Sequence, residues 1–166
     1  MRSTTEAYTR QTDAGRRLGV AFAQPPLIQI LSNTKAPYNI STPTAALALA
    51  ALAPDAVGVM QTKTHALVAQ RAVLLAGLAR QAGLGAAIGS SDANFVMVPV
   101  LGRVAGAGPD NTRAQAVYTA LAEMEGVVVR FRGHEPGCEG CLRITVGTEE
   151  ENRIVLEKLR EVMERM

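Results

Sequence analysis

The sequence predicts an α/β fold, and three observations lead to that prediction. Hydrophobic residues make up 48% of the 166 residues, which suffices for a globular core, while aromatic residues make up only 4%. Short apolar runs typical of buried strands begin at Leu18 and at Asn94. Between and after these runs, apolar residues recur at helical spacing. We therefore expect aliphatic side chains to fill a core between helices and a sheet.

The first part of the chain predicts one strand and one short helix. Residues 1–13 are polar and show no periodicity, so we expect them to form a divergent, loosely ordered terminus. Residues 18–23 form a short apolar run, which is typical of a strand buried on both faces of a parallel sheet. Pro25 and Pro26 then open a helix that continues to about Asn33, because proline is tolerated in a first helical turn.

Two further helices are predicted before residue 92. Ser41 and Pro43 supply a cap and a first-turn proline for an alanine-rich helix that ends at Pro54. A longer helix covers residues 55–81, and Gly83 is its stop signal. The residues at helical spacing in it are Leu67, Arg71, Leu74, Leu78 and Ala82, with Leu75 widening the stripe.

The remainder of the chain predicts a compact β-α-β-β-α unit. Three β-branched runs, at residues 94–100, 126–131 and 141–146, have strand character. Asp110 or Asn111 caps a helix that lies between the first two of these strands, and a capping box at 148–151 opens an amphipathic terminal helix. The predicted domains are thus residues 1–13, residues 14–91 with the long helix, and residues 92–166.

Composition and charge exclude several classes of function. The longest apolar run, residues 45–53, is far shorter than the roughly 20 residues that span a bilayer, and the N-terminus lacks a signal pattern. We therefore expect a cytoplasmic protein without a membrane partner. A net charge of +2 without a basic run excludes nucleic acid as an expected partner. Fourteen of the 17 basic residues are arginine, which favours recognition of small anions.

Two cysteines and a histidine form a weak metal motif. His134, Cys138 and Cys141 follow the pattern H-x3-C-x2-C, which offers three zinc ligands but no fourth. The alternative is that Cys138 lies in a loop and Cys141 is a small apolar strand residue. We favour this alternative, so no metal site is predicted.

Two arginines are the stronger candidates for a binding site. Arg130 ends one predicted strand and Arg143 lies inside the next, among residues expected to be buried. A buried guanidinium needs an anionic partner or several acceptors. Either both arginines form structural ion pairs with glutamates, or both face a cleft and bind a carboxylate or phosphate of a ligand.

Five motifs of this sequence occur in family order in a known group of enzymes. They are A-G-R-R-L-G-V-A-F-A-Q-P-P from Ala14, N-T-K-A-P-Y-N-I-S-T-P-T-A from Asn33, A-N-F-V-M-V from Ala93, V-V-V-R from Val127, and C-L-R-I-T-V-G-T-E-E-E-N from Cys141. Together they resemble the C-terminal half of histidinol-phosphate aminotransferases. The resemblance covers almost everything after Ala14.

The resemblance implies a fold, an activity and partners. The fold would be the C-terminal part of an aspartate-aminotransferase-like enzyme of fold type I, with a large-domain remnant and an α+β small domain. The activity would be pyridoxal-phosphate-dependent amino transfer between histidinol phosphate and 2-oxoglutarate or glutamate, in histidine biosynthesis. The implied partners are these small molecules and a second subunit, because the family is homodimeric.

The resemblance also assigns roles to three arginines. Arg17 matches the arginine of the A-G-x-R-x-G motif, which binds the phosphate of pyridoxal 5'-phosphate. Arg143 matches the family arginine that grips the substrate, and Arg130 matches the one at the end of the preceding strand, which serves the substrate's anionic end.

One family position departs from the pattern. The lysine that forms the Schiff base with the cofactor lies eight residues before Arg17, and this position is Thr9. A threonine cannot form an imine, so we expect a truncated form that does not transaminate alone and has no catalytic residue of its own. The alternative is a non-catalytic module for anion binding or subunit interaction, derived from the same enzyme.

Overall fold

The computed structural model of the protein describes residues 8–13, 18–37 and 40–166. The chain forms two compact units, Met1–Thr62 and Lys63–Met166, called here the N-terminal and the C-terminal unit. The long helix α3 (Pro54–Leu78) runs from the first into the second. The domain boundaries expected at residues 13 and 91 stay a prediction.

The strands of the N-terminal unit form a hairpin. Strand β1 (Tyr8–Asp13) pairs antiparallel with strand β2 (Leu18–Phe22), with an irregularity between Gln11 and Asp13. The prediction of a strand at β2 is confirmed. The predicted parallel sheet, buried on both faces, is wrong, because β2 pairs antiparallel with β1 and Phe22 is 66% exposed. Strand β1 was not predicted, since backbone pairing rather than an apolar pattern defines it.

The helices of the N-terminal unit begin where the sequence predicts. Helix α1 (Pro25–Thr34) has its prolines in the first turn, and helix α2 (Thr42–Ala51) is capped by Ser41, whose Oγ accepts a hydrogen bond of 3.3 Å from the Thr44 amide. Neither helix contains a buried residue. The local signals are therefore sufficient to place these helices, although their apolar side chains remain exposed.

The C-terminal unit has the predicted β-α-β-β-α order. It consists of β3 (Phe95–Pro99), α4 (Asn111–Met124), β4 (Arg130–Phe131), β5 (Cys141–Thr145) and α5 (Glu149–Arg165), preceded by most of α3. Strand β4 is shorter than predicted. Gly126, at φ +68°, and the hydrogen bond from the Val127 amide to the Leu121 carbonyl complete the end of α4, so these residues cannot begin a strand.

The sheet of this unit is antiparallel, in the order β3-β5-β4. Side chains alternate across it, so that one face joins the core and the other carries Met97, Arg143 and Arg130. The helices cover the core face. The buried core residues include Leu74 and Leu78 of α3, Val96 and Val98 of β3, Val117 and Leu121 of α4, Leu142 and Ile144 of β5, and Leu159 and Val162 of α5.

A buried asparagine and a capping box fix the start of α5. Thr148 and Glu151 exchange the reciprocal hydrogen bonds of the predicted box. Asn152, 2% exposed, accepts a bond of 3.0 Å from the Gly147 amide and donates one of 3.1 Å to Oε1 of Gln70. Asn152 thus links α5 to both the preceding loop and α3.

Within the described residues, no single helix is both long and apolar enough to cross a membrane, and α2 and α3 meet the criteria of length and composition only together, as a pair bent by 70°.

Candidate anion-binding site

The two arginines singled out from the sequence lie directly opposite each other. Arg130 of β4 pairs with Arg143 of β5, so both side chains lie on the same face of the sheet. Like charges in directly opposed positions destabilise a sheet. A bound anion would remove this repulsion.

Arg143 is held by an aromatic ring rather than by a carboxylate. Its guanidinium carbon lies 4.8 Å from the ring centroid of Phe95, a cation–π contact. Its Nε is buried and has no hydrogen-bond partner. Since Nε is one of five N–H donors of the fork that arginine offers to carboxylates and phosphates, the side chain retains unused donor capacity.

Among the described residues, neither arginine forms the structural ion pair with a glutamate that the sequence left open. In the part of the chain that the structure describes, no ion pair includes Arg130 or Arg143. The two glutamates nearest to Arg130 in sequence pair with other cations. Glu135 pairs with Arg132, at 3.3 Å between Nε and Oε1, and Glu125 pairs with basic residues of α5. Both guanidinium groups therefore lack a protein counter-ion among the described residues.

An asparagine at the start of α4 holds the loop that joins β4 to β5. Nδ2 of Asn111 donates to the Gly133 carbonyl at 3.1 Å, and its Oδ1 accepts from the Gly140 amide at 2.6 Å. The sequence suggested Asn111 only as a helix cap, a role that Asp110 takes. Asn111 fixes the connection between the two arginine-bearing strands, so it positions the site without belonging to it.

The two cysteines lie in the loop and the strand in which the sequence predicts them. Cys141 is a buried strand residue, and burial raises the pKa of its thiol to about 11. Cys138 is half-buried in the loop, and the His134 ring contacts Phe131 edge-on at 5.0 Å. Among the described residues, no three His, Cys, Asp or Glu side chains could hold a metal ion.

The cofactor positions implied by the family motif give a mixed result. Arg17 lies outside the described residues, so its expected contact with a phosphate stays a prediction. Thr9 lies in β1, with its backbone opposite Ala21. Lys158 forms ion pairs with Glu161 at 2.9 Å and Glu125 at 3.2 Å, which raise its pKa. If Thr9 takes the lysine position of the motif, as the resemblance implies, no imine can form there, because threonine has no amine.

Comparison with known proteins gives the chain a clear set of relatives. The family described as aminotransferase class I and II matches residues 13–159. The histidinol-phosphate aminotransferase of Schizosaccharomyces pombe is 48% identical over 91% of this chain and 39% of its own length. The Saccharomyces cerevisiae enzyme of the same name is 39% identical over 90% of this chain and 38% of its own length.

A solved structure has the same fold over most of the chain. The histidinol-phosphate aminotransferase of Sinorhizobium meliloti, in complex with pyridoxal-5'-phosphate, is 26% identical and superposes with a TM-score of 0.70 over 92% of this chain and 38% of that one. The chain thus spans about two fifths of the length of the relatives that it matches.

Proposed function

This chain belongs to the class I and II aminotransferases, with the fold of the type I pyridoxal-phosphate enzymes, and on that premise we propose that it derives from a histidinol-phosphate aminotransferase. Such an enzyme transfers an amino group between histidinol phosphate and 2-oxoglutarate or glutamate in histidine biosynthesis. In this proposal Arg130 and Arg143 bind the anionic end of these substrates.

The observation that supports this assignment is the opposed arginine pair without a protein counter-ion among the described residues. Two guanidinium groups on one face of a sheet suit a phosphate monoester, whose oxygens accept several hydrogen bonds at once. The same groups suit the carboxylates of glutamate and 2-oxoglutarate. Phe95 contributes by fixing the guanidinium of Arg143, so the binding geometry is prepared before the ligand arrives.

The same proposal holds that this chain alone does not transaminate. Thr9 occupies the position of the Schiff-base lysine, and transamination without that amine lacks both its covalent anchor and its base. Arg17 would bind the cofactor phosphate without a covalent bond. The chain alone is then an anion-binding module. A second copy of it would not restore catalysis, because it has the same threonine at position 9; only a full-length enzyme subunit that carries the lysine could supply it.

Calorimetric titration of the chain with histidinol phosphate tests the binding role. We expect binding that weakens about tenfold or more in Arg143→Gln and in Arg130→Gln, because each loses a charge-assisted hydrogen bond. Arg153→Gln is the matched control, since Arg153 pairs with Glu150 and Glu157 on the exposed face of α5. Equal affinity of all four proteins would contradict the assignment.

Titration with pyridoxal phosphate tests the catalytic part. Visible absorbance before and after borohydride reduction, followed by peptide mass mapping, reports any lysine bound to the cofactor. We expect no specifically labelled lysine and no turnover of histidinol phosphate with 2-oxoglutarate. Specific labelling of Lys35, Lys63 or Lys158, or measurable turnover, would overturn this part of the proposal.

A further inference from the structure

A second basic region of the C-terminal unit surrounds a cavity that does not include Arg130 or Arg143. Its volume is about 930 Å³, within the range of small-molecule sites. The turn after α3, the loop at residues 101–107, the first turn of α4 and the last turns of α5 enclose it. The charged side chains that line it are Arg80, Arg103, Arg113, Arg160, Arg165 and Glu164.

Two of these arginines have evident structural roles. Arg165 pairs with Glu125, which lowers the pKa of that carboxyl, and its Nε donates to the Glu161 carbonyl at 3.1 Å. Arg80 donates its Nε to the Ala76 carbonyl at 3.0 Å. Both therefore satisfy carbonyls in the last turns of helices, where cations are favoured.

The remaining three arginines keep N–H donors that no group in the described part of the chain uses. Arg103 and Arg160 are exposed and make no hydrogen bond or ion pair in the described part of the chain. Arg113 donates its Nη1 to the Leu101 carbonyl at 2.8 Å, while its Nε is buried without a partner. That bond holds the guanidinium of Arg113 at the wall of the cavity, with donor capacity left over.

The remaining walls leave room and add an apolar surface. Gly106 lines the cavity, and a Cβ added there would meet no atom within 4 Å, so the loop leaves open space at this point. Leu101 and Met163 also line the cavity. A ligand here would place an anionic group among the arginines and an organic body against these side chains.

We propose that this cavity binds a small organic phosphate, with Arg103, Arg113 and Arg160 as the residues that hold the phosphate. Planar guanidinium groups bind phosphate oxygens in pairs, and three of them around one cavity offer several such donors. Because the site is separate from Arg130 and Arg143, it can be occupied whether or not histidinol phosphate binds there.

Calorimetric titration of the full chain with adenosine monophosphate and with inorganic phosphate tests the proposal. We expect the nucleotide to bind more tightly than phosphate, because its base contacts the apolar wall. Arg103→Gln and Arg160→Gln should each weaken nucleotide binding about tenfold. Both residues are exposed, so the variants should keep the wild-type circular dichroism spectrum and unfolding midpoint.

One further variant shows whether the nucleotide binds in this cavity or elsewhere on the chain. Arg153→Gln removes an equal charge from the exposed face of α5 and should leave nucleotide binding unchanged. The proposal is overturned if the nucleotide does not bind at millimolar concentration, or if it binds no more tightly than phosphate. It is also overturned if Arg153→Gln weakens binding as much as Arg103→Gln does.

Discussion

The helices of the N-terminal and C-terminal units have similar start signals in their first turns but differ greatly in how much of their surface is buried. Helices α1 and α2 have first-turn prolines, and α2 has a side-chain cap, yet neither buries a residue. Helices α4 and α5 also have side-chain caps, and each buries several residues against the sheet. Capping therefore decides where a helix begins, whereas burial in a core decides whether it is stable.

The sheets differ in the same way. The hairpin of β1 and β2 has two strands, a size that is marginally stable alone. The sheet of β3, β5 and β4 has three strands and a face packed on three helices. Within the described residues, the whole buried core lies at Leu74 or later. The arginine pair thus rests on the better supported of the two units.

Hydrogen exchange of backbone amides measures this contrast directly and should show the largest effect. We expect amides of α4 and β5 to exchange at least roughly a thousandfold more slowly than those of α2, because opening them requires loss of the core. Mass spectrometry of peptic peptides from the native chain would give both rates. Equal protection in α2 and α4 would show that the N-terminal unit is as well supported as the C-terminal one.

Truncation of one leucine in each unit sharpens the comparison. Leu121→Ala in α4 removes a side chain that is 0% exposed, and it should lower the free energy of unfolding by about 2–5 kcal/mol. Leu49→Ala in α2 is the matched control at 74% exposure, with an expected change within about 0.5 kcal/mol. Urea denaturation measures both. A comparable loss in the two variants would mean that α2 packs against a core.

The elements that were predicted correctly depend on neighbours in sequence. Ser41, Asp110 and Thr148 each cap a helix through a hydrogen bond to an amide two or three residues later. The antiparallel pairing of β2 depends on backbone hydrogen bonds to β1, which the apolar run of β2 does not specify. The short extent of β4 follows from Gly126, whose positive φ ends helix α4 where the β-branched run predicted the start of a strand.

The two arginines proposed to bind the ligand could be recognised in the sequence, whereas their arrangement could not. Arg130 and Arg143 stand out because a charge inside an apolar strand is unusual. That they lie opposite each other follows from the register of β4 and β5, and the contact with Phe95 joins residues 48 positions apart. The arginines that line the cavity come from four separate segments of the chain. The sequence therefore predicts neither that they lie close together nor which of them lack hydrogen-bond partners.

Asn152 tests how far the C-terminal unit depends on polar contacts as well as apolar ones. Asn152→Ala should lower the free energy of unfolding by about 1–3 kcal/mol, because the Gly147 amide loses its bond and Gln70 loses its donor. Asn33→Ala is the control, since Asn33 accepts one exposed bond from Gln29 and should change stability by less than about 0.5 kcal/mol. Thermal unfolding measures the midpoint of each variant. Equal shifts of the two midpoints would contradict this expectation.

The pH dependence of stability probes the same core through Cys141 and should give the smallest effect. Burial raises the pKa of this thiol from 9.0 to about 11, so above pH 9 the unfolded chain loses a proton that the folded chain still holds. Stability therefore falls as the pH rises from 9 toward 11. The loss should reach roughly 1–2 kcal/mol relative to Cys141→Ala, which has no thiol to ionise. Urea midpoints that fall in parallel for wild type and Cys141→Ala would show that the Cys141 thiol ionises as readily in the folded chain as in the unfolded one.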